Sequence, residues 1–230
     1  MSVSISSCLP HVRRTDVASV HVSQLYVPDR AQAKSVLEQT AAAWSDVSWP
    51  AGILSFSCYT SVEEDTVLTY VQCADENSYR PFVDTLRGPA RSGAVEYRLR
   101  ASVTPQNETG TPSCMVIATF DVDGAERQGR VIDSLVKALT DTPNAQPPGM
   151  ISANFHASTD ASRVLNYAEW TSDEAHIAFL DSVTRQSTMR ASGDVPGVRP
   201  IGFKRYHLHR ALVAELPGGP RRTDAPALPL

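Results

Sequence analysis

Residues 164–170, with the sequence VLNYAEW, bring polar groups beside an aromatic surface. Their alternating pattern predicts a strand on which Asn166, Ala168 and Trp170 share one face, while Tyr167 points to the other. The Asn amide can donate and accept hydrogen bonds, and the Trp indole offers a flat face and one N–H donor. This combination would suit a flat aromatic ligand. The alternative is that Trp170 is a core residue and Asn166 binds a neighbouring backbone group.

The histidines and cysteines of the chain could in principle bind a metal, but their spacing does not favour it. His207 and His209 form an H-x-H pair whose rings would face the same side of a strand, as metal ligands sometimes do, but no third ligand is evident. We therefore predict no metal site. The four cysteines have no C-x-x-C spacing, which argues against structural zinc or a disulfide framework and favours a reduced, cytoplasmic setting.

The elements that position these residues occur twice in the chain. The sequence PAGILSFSCYTS over 50–61 matches PPGMISANFHAS over 147–158 at an offset of 97 residues. At the same offset, VLTYVQC over 67–73 matches VLNYAEW. Upstream, residues 26–39 lie over residues 121–134 with an offset of 95. A register that holds over most of each unit indicates an internal repeat.

Both copies show the same order of elements, β-α-β-β-α-β, which is the ferredoxin-like pattern. The first copy gives strands over 17–26, 52–60, 66–73 and 95–99 and helices over 28–47 and from about 75; the second gives strands over 114–122, 149–157, 163–170 and 201–210 and helices over 124–140 and from about 171. Pro81 predicts that the second helix of the first copy is kinked or starts late.

A four-stranded sheet with helices on one face leaves its other face uncovered, and two units can bury these faces against each other. The predicted fold is therefore α+β, with tandem ferredoxin-like repeats forming a single-chain barrel of the dimeric α+β type. We place the units at 1–107 and 108–210. Residues 211–230, rich in Pro and Gly, are predicted to form an extended arm or a loose tail that does not continue the sheet.

The two units are not equally equipped. The first has Thr69, Val71 and Cys73 where the second has Asn166, Ala168 and Trp170. We therefore expect an active site in the second unit and a degenerate one in the first.

Composition limits the classes of function. The chain has 230 residues, a formal charge of −4 and 42% hydrophobic residues, which is ordinary for a globular protein. Nothing in it suggests a nucleic-acid binder, a membrane span or a secretory signal, so we expect no nucleic-acid or membrane partner and a cytoplasmic location.

The run SANFHASTDASRVLNYAEWTSDEAHIAF over 152–179 resembles the antibiotic biosynthesis monooxygenases, in particular their small cofactor-free, quinone-forming members. The resemblance extends over about 114–205 and is fainter in the first unit. Family members are usually dimers of single units, so this chain resembles a fused dimer, and fused chains could pair further as a homodimer. The resemblance implies an enzyme that oxidises an aromatic polyketide anthrone or phenol to a quinone with O2, without a cofactor.

The resemblance also implies site residues. Asn166, Trp170 and Arg190 fall on polar positions of the family's pocket, and His176 stands where the similar enzymes have Tyr; these four are the predicted catalytic residues. The predicted substrate-binding residues are His156, Tyr167 and Phe155.

His176 departs from the family pattern and would titrate near 6.5 unless burial or a partner shifts it, so the swap could alter proton handling. Haem-degrading relatives of this fold have a His where this chain has Leu180, and a haem site is therefore not expected. The absence of a G-x-G-x-x-G motif agrees with a cofactor-free enzyme. Two other functions stay open: a polyketide cyclase or isomerase that needs no O2, and a ligand-binding or accessory protein without catalysis.

Overall fold

Runs rich in Val, Ile and Thr form strands, and the amphipathic runs between them form helices, in the computed structural model of the protein. It describes residues 1–91, 93–105, 110–141 and 147–215. The strands are β1 (Val3–Ser6), β2 (Ser19–Tyr26), β3 (Ile53–Ser61), β4 (Thr66–Cys73), β5 (Val95–Val103), β6 (Cys114–Val122), β7 (Met150–Ser158), β8 (Arg163–Trp170) and β9 (Val198–Ala214). The helices are α1 (Arg30–Ser45), α2 (Tyr79–Val83), α3 (Ala125–Thr140), α4 (Asp173–Leu180) and α5 (Val183–Gly193), with a 3-10 turn at Gly88–Arg91.

All strand pairs are antiparallel and close into a barrel in the order β9-β3-β4-β2-β5-β7-β8-β6, with β6 returning to β9. The last strand of each unit pairs with both units: β5 lies between β2 and β7, and β9 pairs with β6 along its first half and β3 along its second. The tandem ferredoxin-like units therefore form one barrel within a single chain, which confirms the predicted fold.

The barrel interior is filled by apolar and aromatic side chains from both units. Four fully buried tyrosines lie in it: Tyr59, Tyr70, Tyr167 and Tyr206. Their hydroxyls are hydrogen-bonded, with Tyr59 Oη 3.1 Å from Tyr167 Oη and Tyr206 Oη accepting from Gln24 at 2.9 Å. The interior is thus a packed core that joins the units.

Each long helix covers the outer face of its own unit with one apolar stripe. Asp29 caps α1 by accepting from Gln32 N at 2.8 Å, and the buried face of α1 runs from Ala33 to Trp44. The face of α3 that packs on the second sheet is formed by Val131, Ile132, Leu135 and Leu139. Two separate apolar cores result, one under the helices of each unit.

The second helical segments differ between the units. In the first, α2 is short and starts late, as Pro81 predicts. In the second, the predicted helix near Thr171 is two helices, of which α4 is capped by Ser172 and α5 by Ser182. Gly149 makes room for this arrangement, because at its φ of 82° a Cβ would lie 2.6 Å from the Cβ of Ala175.

The C-terminal boundary of the sheet was predicted wrongly. Residues 211–214 do not start an arm but continue β9, pairing with both β1 and β3. Pairing with β1 and β3 satisfies the backbone groups of the apolar run ALVA, which therefore extends the ladder before the first Pro. The remainder of the predicted arm, 216–230, lies outside the described residues, as does the predicted unit boundary between 107 and 108. No helix in the described part of the chain is long and apolar enough to cross a membrane.

Burial of histidines makes stability depend on pH. His156 is completely buried in the barrel, and burial lowers its pKa to about 4. The unfolded chain, with an ordinary His pKa near 6.5, therefore binds more protons between those values. Above pH 6.5 we expect no loss of stability from His156. As the pH falls from 6.5 towards 4, the free energy of unfolding should decrease by about 1.4 kcal/mol per pH unit for this proton. His21 and His176 act in the same direction.

Denaturant unfolding at several pH values, with His156→Gln as the comparison, measures this contribution. The variant should show a shallower fall between pH 6.5 and 4. An identical pH dependence in both proteins would mean that His156 does not contribute.

Candidate functional site

A cavity of about 160 Å³ lies between the outer face of the second unit's sheet and its helices α3, α4 and α5. This is many times the roughly 15 Å³ that one water requires on the same measure. Its wall is mostly apolar and includes Val116, Leu135, Met150, Phe155, Ala168 and Phe179. Phe203 and Met189 line the cavity and are also partly exposed, so an apolar rim marks its opening.

Strand β8 supplies the cavity's polar floor. Asn166, Ala168 and Trp170 all line the cavity, as the alternation of the strand predicts. Tyr167, between them, points into the barrel interior. The predicted face is therefore present, and it faces a cavity.

The cavity exists because two large side chains of the first unit have small counterparts in the second. In the first unit the rings of Trp44 and Phe56 stack with centroids 4.4 Å apart. At the repeat offsets of 95 and 97, the equivalent residues are Leu139 and Ala153, and both line the cavity. The lost ring volume is the space that a ligand would occupy.

The first unit has a cavity of its own in a different place. It has a volume of about 230 Å³ and lies around His21, Tyr79 and Arg80. None of Thr69, Val71 and Cys73, the counterparts of the floor residues, lines it.

Three polar atoms of the second unit's cavity residues have no hydrogen-bond partner among the described residues. They are Asn166 Oδ1, Trp170 Nε1 and His176 Nδ1, and all are buried. In the first unit, Thr69 at the position of Asn166 is satisfied by Ser23 at 2.7 Å, whereas the strand partner of Asn166 is Ala118. A buried unsatisfied polar atom costs about 1–3 kcal/mol. Three of them around one space are typical of a site that a polar ligand completes.

His176 contributes an uncharged ring at neutral pH. It projects from α4, with its ring centroid 5.1 Å from that of Trp170 and 5.3 Å from that of Phe203. Burial, followed by the charges of Arg205 and Arg185, lowers its pKa to about 4. The unperturbed value near 6.5 does not apply, because the ring is desolvated and lies close to two cations.

The arginine of the cavity is Arg185 rather than Arg190. Arg185 lines the cavity, is half-buried, and lies over the Phe203 ring at 5.8 Å from its centroid. Arg190 is exposed and does not line the cavity. The side of α5 that faces the cavity carries residues at the helical spacing i, i+3, i+4 and i+7, namely Arg185, Thr188, Met189 and Ser192. Arg190 falls outside that stripe.

The three predicted substrate-binding residues separate in the same way. Phe155 lines the cavity, whereas its neighbour His156 points into the barrel, with Nε2 3.1 Å from Tyr70 Oη and Nδ1 3.0 Å from the Asn154 carbonyl oxygen. Tyr167 points into the barrel as well. The two-residue period of β7 and β8 accounts for this separation, because His156 and Tyr167 lie on the opposite faces of their strands from Phe155 and Asn166.

The H-x-H pair has another use in the structure. His207 Nε2 lies 3.0 Å from Asp173 Oδ2, at the start of α4. Among the residues that the structure describes, no three His, Cys, Asp or Glu side chains come together as a metal site would require. Leu180 is part of the cavity wall.

The chain was compared with known proteins, and no protein-family model matches it. It is 37% identical over 67 residues to the tetracenomycin-F1 monooxygenase of Streptomyces glaucescens, a match that covers 28% of this chain and 59% of that enzyme. Its fold is similar to that of an anthrone oxidase-like protein, with a TM-score of 0.59, 17% identity and coverage of 84% of this chain and 92% of that one. A Streptomyces coelicolor monooxygenase from the gene ActVA-Orf6, solved with nanaomycin D, is 29% identical over 46% of this chain and 94% of its own, with a TM-score of 0.37.

Refilling the space is a direct test of the site. We expect Ala153→Phe, which restores the residue of the first unit, to fold and to abolish binding of a planar tricyclic quinone such as anthraquinone, because the ring would occupy the cavity. Isothermal titration calorimetry measures the binding.

The matched change in the first unit is Phe56→Leu. It should lower the free energy of unfolding by about 1–2 kcal/mol through lost packing and leave the quinone affinity unchanged. Binding that survives Ala153→Phe, or that is lost in Phe56→Leu, would place the ligand elsewhere.

The pKa of His176 gives a second test. With a value of about 4, its ring stays neutral from pH 5.5 to 8, and we expect no step from this residue in a pH titration near 6.5. An NMR titration of the His176 ring, assigned with His176→Phe, should show a midpoint well below the ordinary His value near 6.5. A midpoint near 6.5 would contradict the buried environment described above.

Proposed function

Because this chain belongs to the antibiotic biosynthesis monooxygenase family, and carries the family's ferredoxin-like unit twice in one barrel, we propose that it is a cofactor-independent monooxygenase. Its substrate class is an aromatic polyketide anthrone or phenol, which it converts to a quinone with O2 in the cavity of the second unit. The observation that carries this proposal is the trio of unsatisfied buried polar atoms, from Asn166, Trp170 and His176, in an otherwise apolar cavity. The 37% identity with a tetracenomycin-F1 monooxygenase supports it.

The chemistry needs little from the protein beyond binding and charge stabilisation. Loss of a methylene proton from an anthrone leaves a carbanion that is also an aromatic phenolate. One electron passes from this anion to O2, the two radicals combine, and the resulting peroxide loses water to give the quinone. One O2 thus supplies one oxygen atom to the product and one to water.

The cavity residues suit these steps. The Trp170 N–H and the Asn166 amide can donate hydrogen bonds to the phenolate and peroxide oxygens, and the apolar walls strengthen those bonds by excluding water. Neutral His176 can donate or accept one hydrogen bond at a substrate hydroxyl, while its low pKa makes it a poor store for the proton. Most of the driving force for deprotonation therefore comes from the acidity of the substrate.

The reaction is distinguished from its alternatives by its use of O2. We expect an anthrone to be oxidised in air, without added flavin, haem or metal and in the presence of a chelator, and to carry one atom of label from 18O2. A cyclase or isomerase would turn over equally well without O2, and a binding protein would bind the anthrone without turnover. Product formation that stops when a chelator is added would contradict the cofactor-free mechanism.

Trp170→Phe tests the hydrogen bond to the developing oxyanion. The substitution keeps a ring and removes the N–H, so turnover should fall roughly 30–150-fold, corresponding to ~2–3 kcal/mol, while ligand affinity changes little. Cys73→Ala, at the equivalent position of the first unit, should leave the rate nearly unchanged. Steady-state rates for both variants decide the matter, and equal damage by both would contradict a single site in the second unit.

A further inference from the structure

Arg185 is a permanent cation inside an apolar site. Its guanidinium lines the cavity and lies over Phe203, and burial lowers its pKa. Across the described residues, no carboxylate lies within ion-pair distance of it, although twelve other ion pairs occur on the protein. A partly desolvated charge without a counter-ion is costly, and such a charge in a cavity is typical of a site for an anion.

A second guanidinium lies on the same side of the site. Arg205 pairs across β9 and β6 with Val116, a cavity residue, and its buried Nε has no partner within the described part of the chain. Its charge, like that of Arg185, acts on His176. The acidic residue that also acts on His176 is Asp173, whose carboxylate is engaged with His207 at 3.0 Å.

The cations are separated from the groups assigned to the oxidation. Trp170 contacts His176, His176 contacts Phe203, and Arg185 lies over Phe203, so two rings stand between the indole and the guanidinium along this path. The floor of β8 offers only neutral polar groups, which suit an oxyanion that develops during the reaction. A permanent cation is matched instead by a group that is already anionic in the bound substrate.

We infer that the aromatic substrate of this site carries a carboxylate, which Arg185 binds with support from Arg205. The planar guanidinium can hold a carboxylate through two parallel hydrogen bonds while the fused rings lie against the apolar wall. This inference rests on the proposed function, to which it adds a substrate class and a residue that determines specificity.

Two matched ligands test it: anthraquinone-2-carboxylate and the uncharged anthraquinone-2-carboxamide, each titrated calorimetrically at pH 7. The native protein should bind the carboxylate roughly tenfold more tightly or better. In Arg185→Gln this preference should shrink to within about twofold, because the glutamine side chain can still form hydrogen bonds but carries no charge. Arg205→Gln should reduce the preference by a smaller factor.

Arg190→Gln is the matched control, since Arg190 lies on the same helix but is exposed and outside the cavity. Its preference for the carboxylate should equal that of the native protein. Equal affinities for the two ligands in the native protein, binding of neither, or a preference that persists in Arg185→Gln would overturn the inference.

The outcome is separable from that of the proposed function. Equal binding of both ligands together with O2-dependent oxidation of a neutral anthrone would remove the anion site and retain the oxygenase. A carboxylate preference that depends on Arg185, without oxidation of any anthrone, would retain the anion site and remove the oxygenase.

Discussion

The structure depends on the burial of two sheet faces against each other. A four-stranded ferredoxin-like sheet covers only one face with its own helices, and the other face carries apolar side chains that must leave water. Here the partner face comes from the second half of the same chain, and the interior is filled by tyrosines and aliphatic residues from both halves. That interior is closely packed, and the two cavities described above lie on the outer faces, under the helices.

On those outer faces the two halves differ in the size of the side chains at equivalent positions. In the first half a ring stack between Trp44 and Phe56 fills the space under the long helix, and in the second half Leu139 and Ala153 leave a cavity at the equivalent place. In the first half, Thr69 is hydrogen-bonded to Ser23. In the second half, the strand partner of Asn166 is Ala118, whose side chain cannot form a hydrogen bond with the Asn166 amide. The same duplicated unit thus has stacked rings at this place in the first copy and a cavity with unsatisfied polar atoms in the second.

Much of this could be predicted from the sequence, because the two-residue period of a strand and the repeat offset are local properties. They placed Asn166, Ala168 and Trp170 on one face, and the repeat predicted the barrel. The exchange of Trp44 for Leu139 is likewise visible in the sequence, at an offset of 95. The resemblance assigns Arg190 by position alone, without the phase of α5. That phase, which leaves Arg190 outside the cavity, depends on the Ser182 cap and on the break after α4, which tertiary packing determines. The lowered pKa of His176 depends on Arg185 and Arg205, which come from different elements and meet only in the fold.

Because β9 pairs with strands of both units, the way the barrel closes determines how its assembly depends on protein concentration. Its 17 residues pair first with β6 of its own unit and then with β3 and β1 of the other. In a barrel made from two separate chains, such strand exchange is a bimolecular step, and dilution weakens it. In this chain both partners are covalently joined, so closure of the barrel is an intramolecular event with a fixed effective concentration. The assembled cavity wall therefore persists at protein concentrations at which a barrel of separate subunits would dissociate.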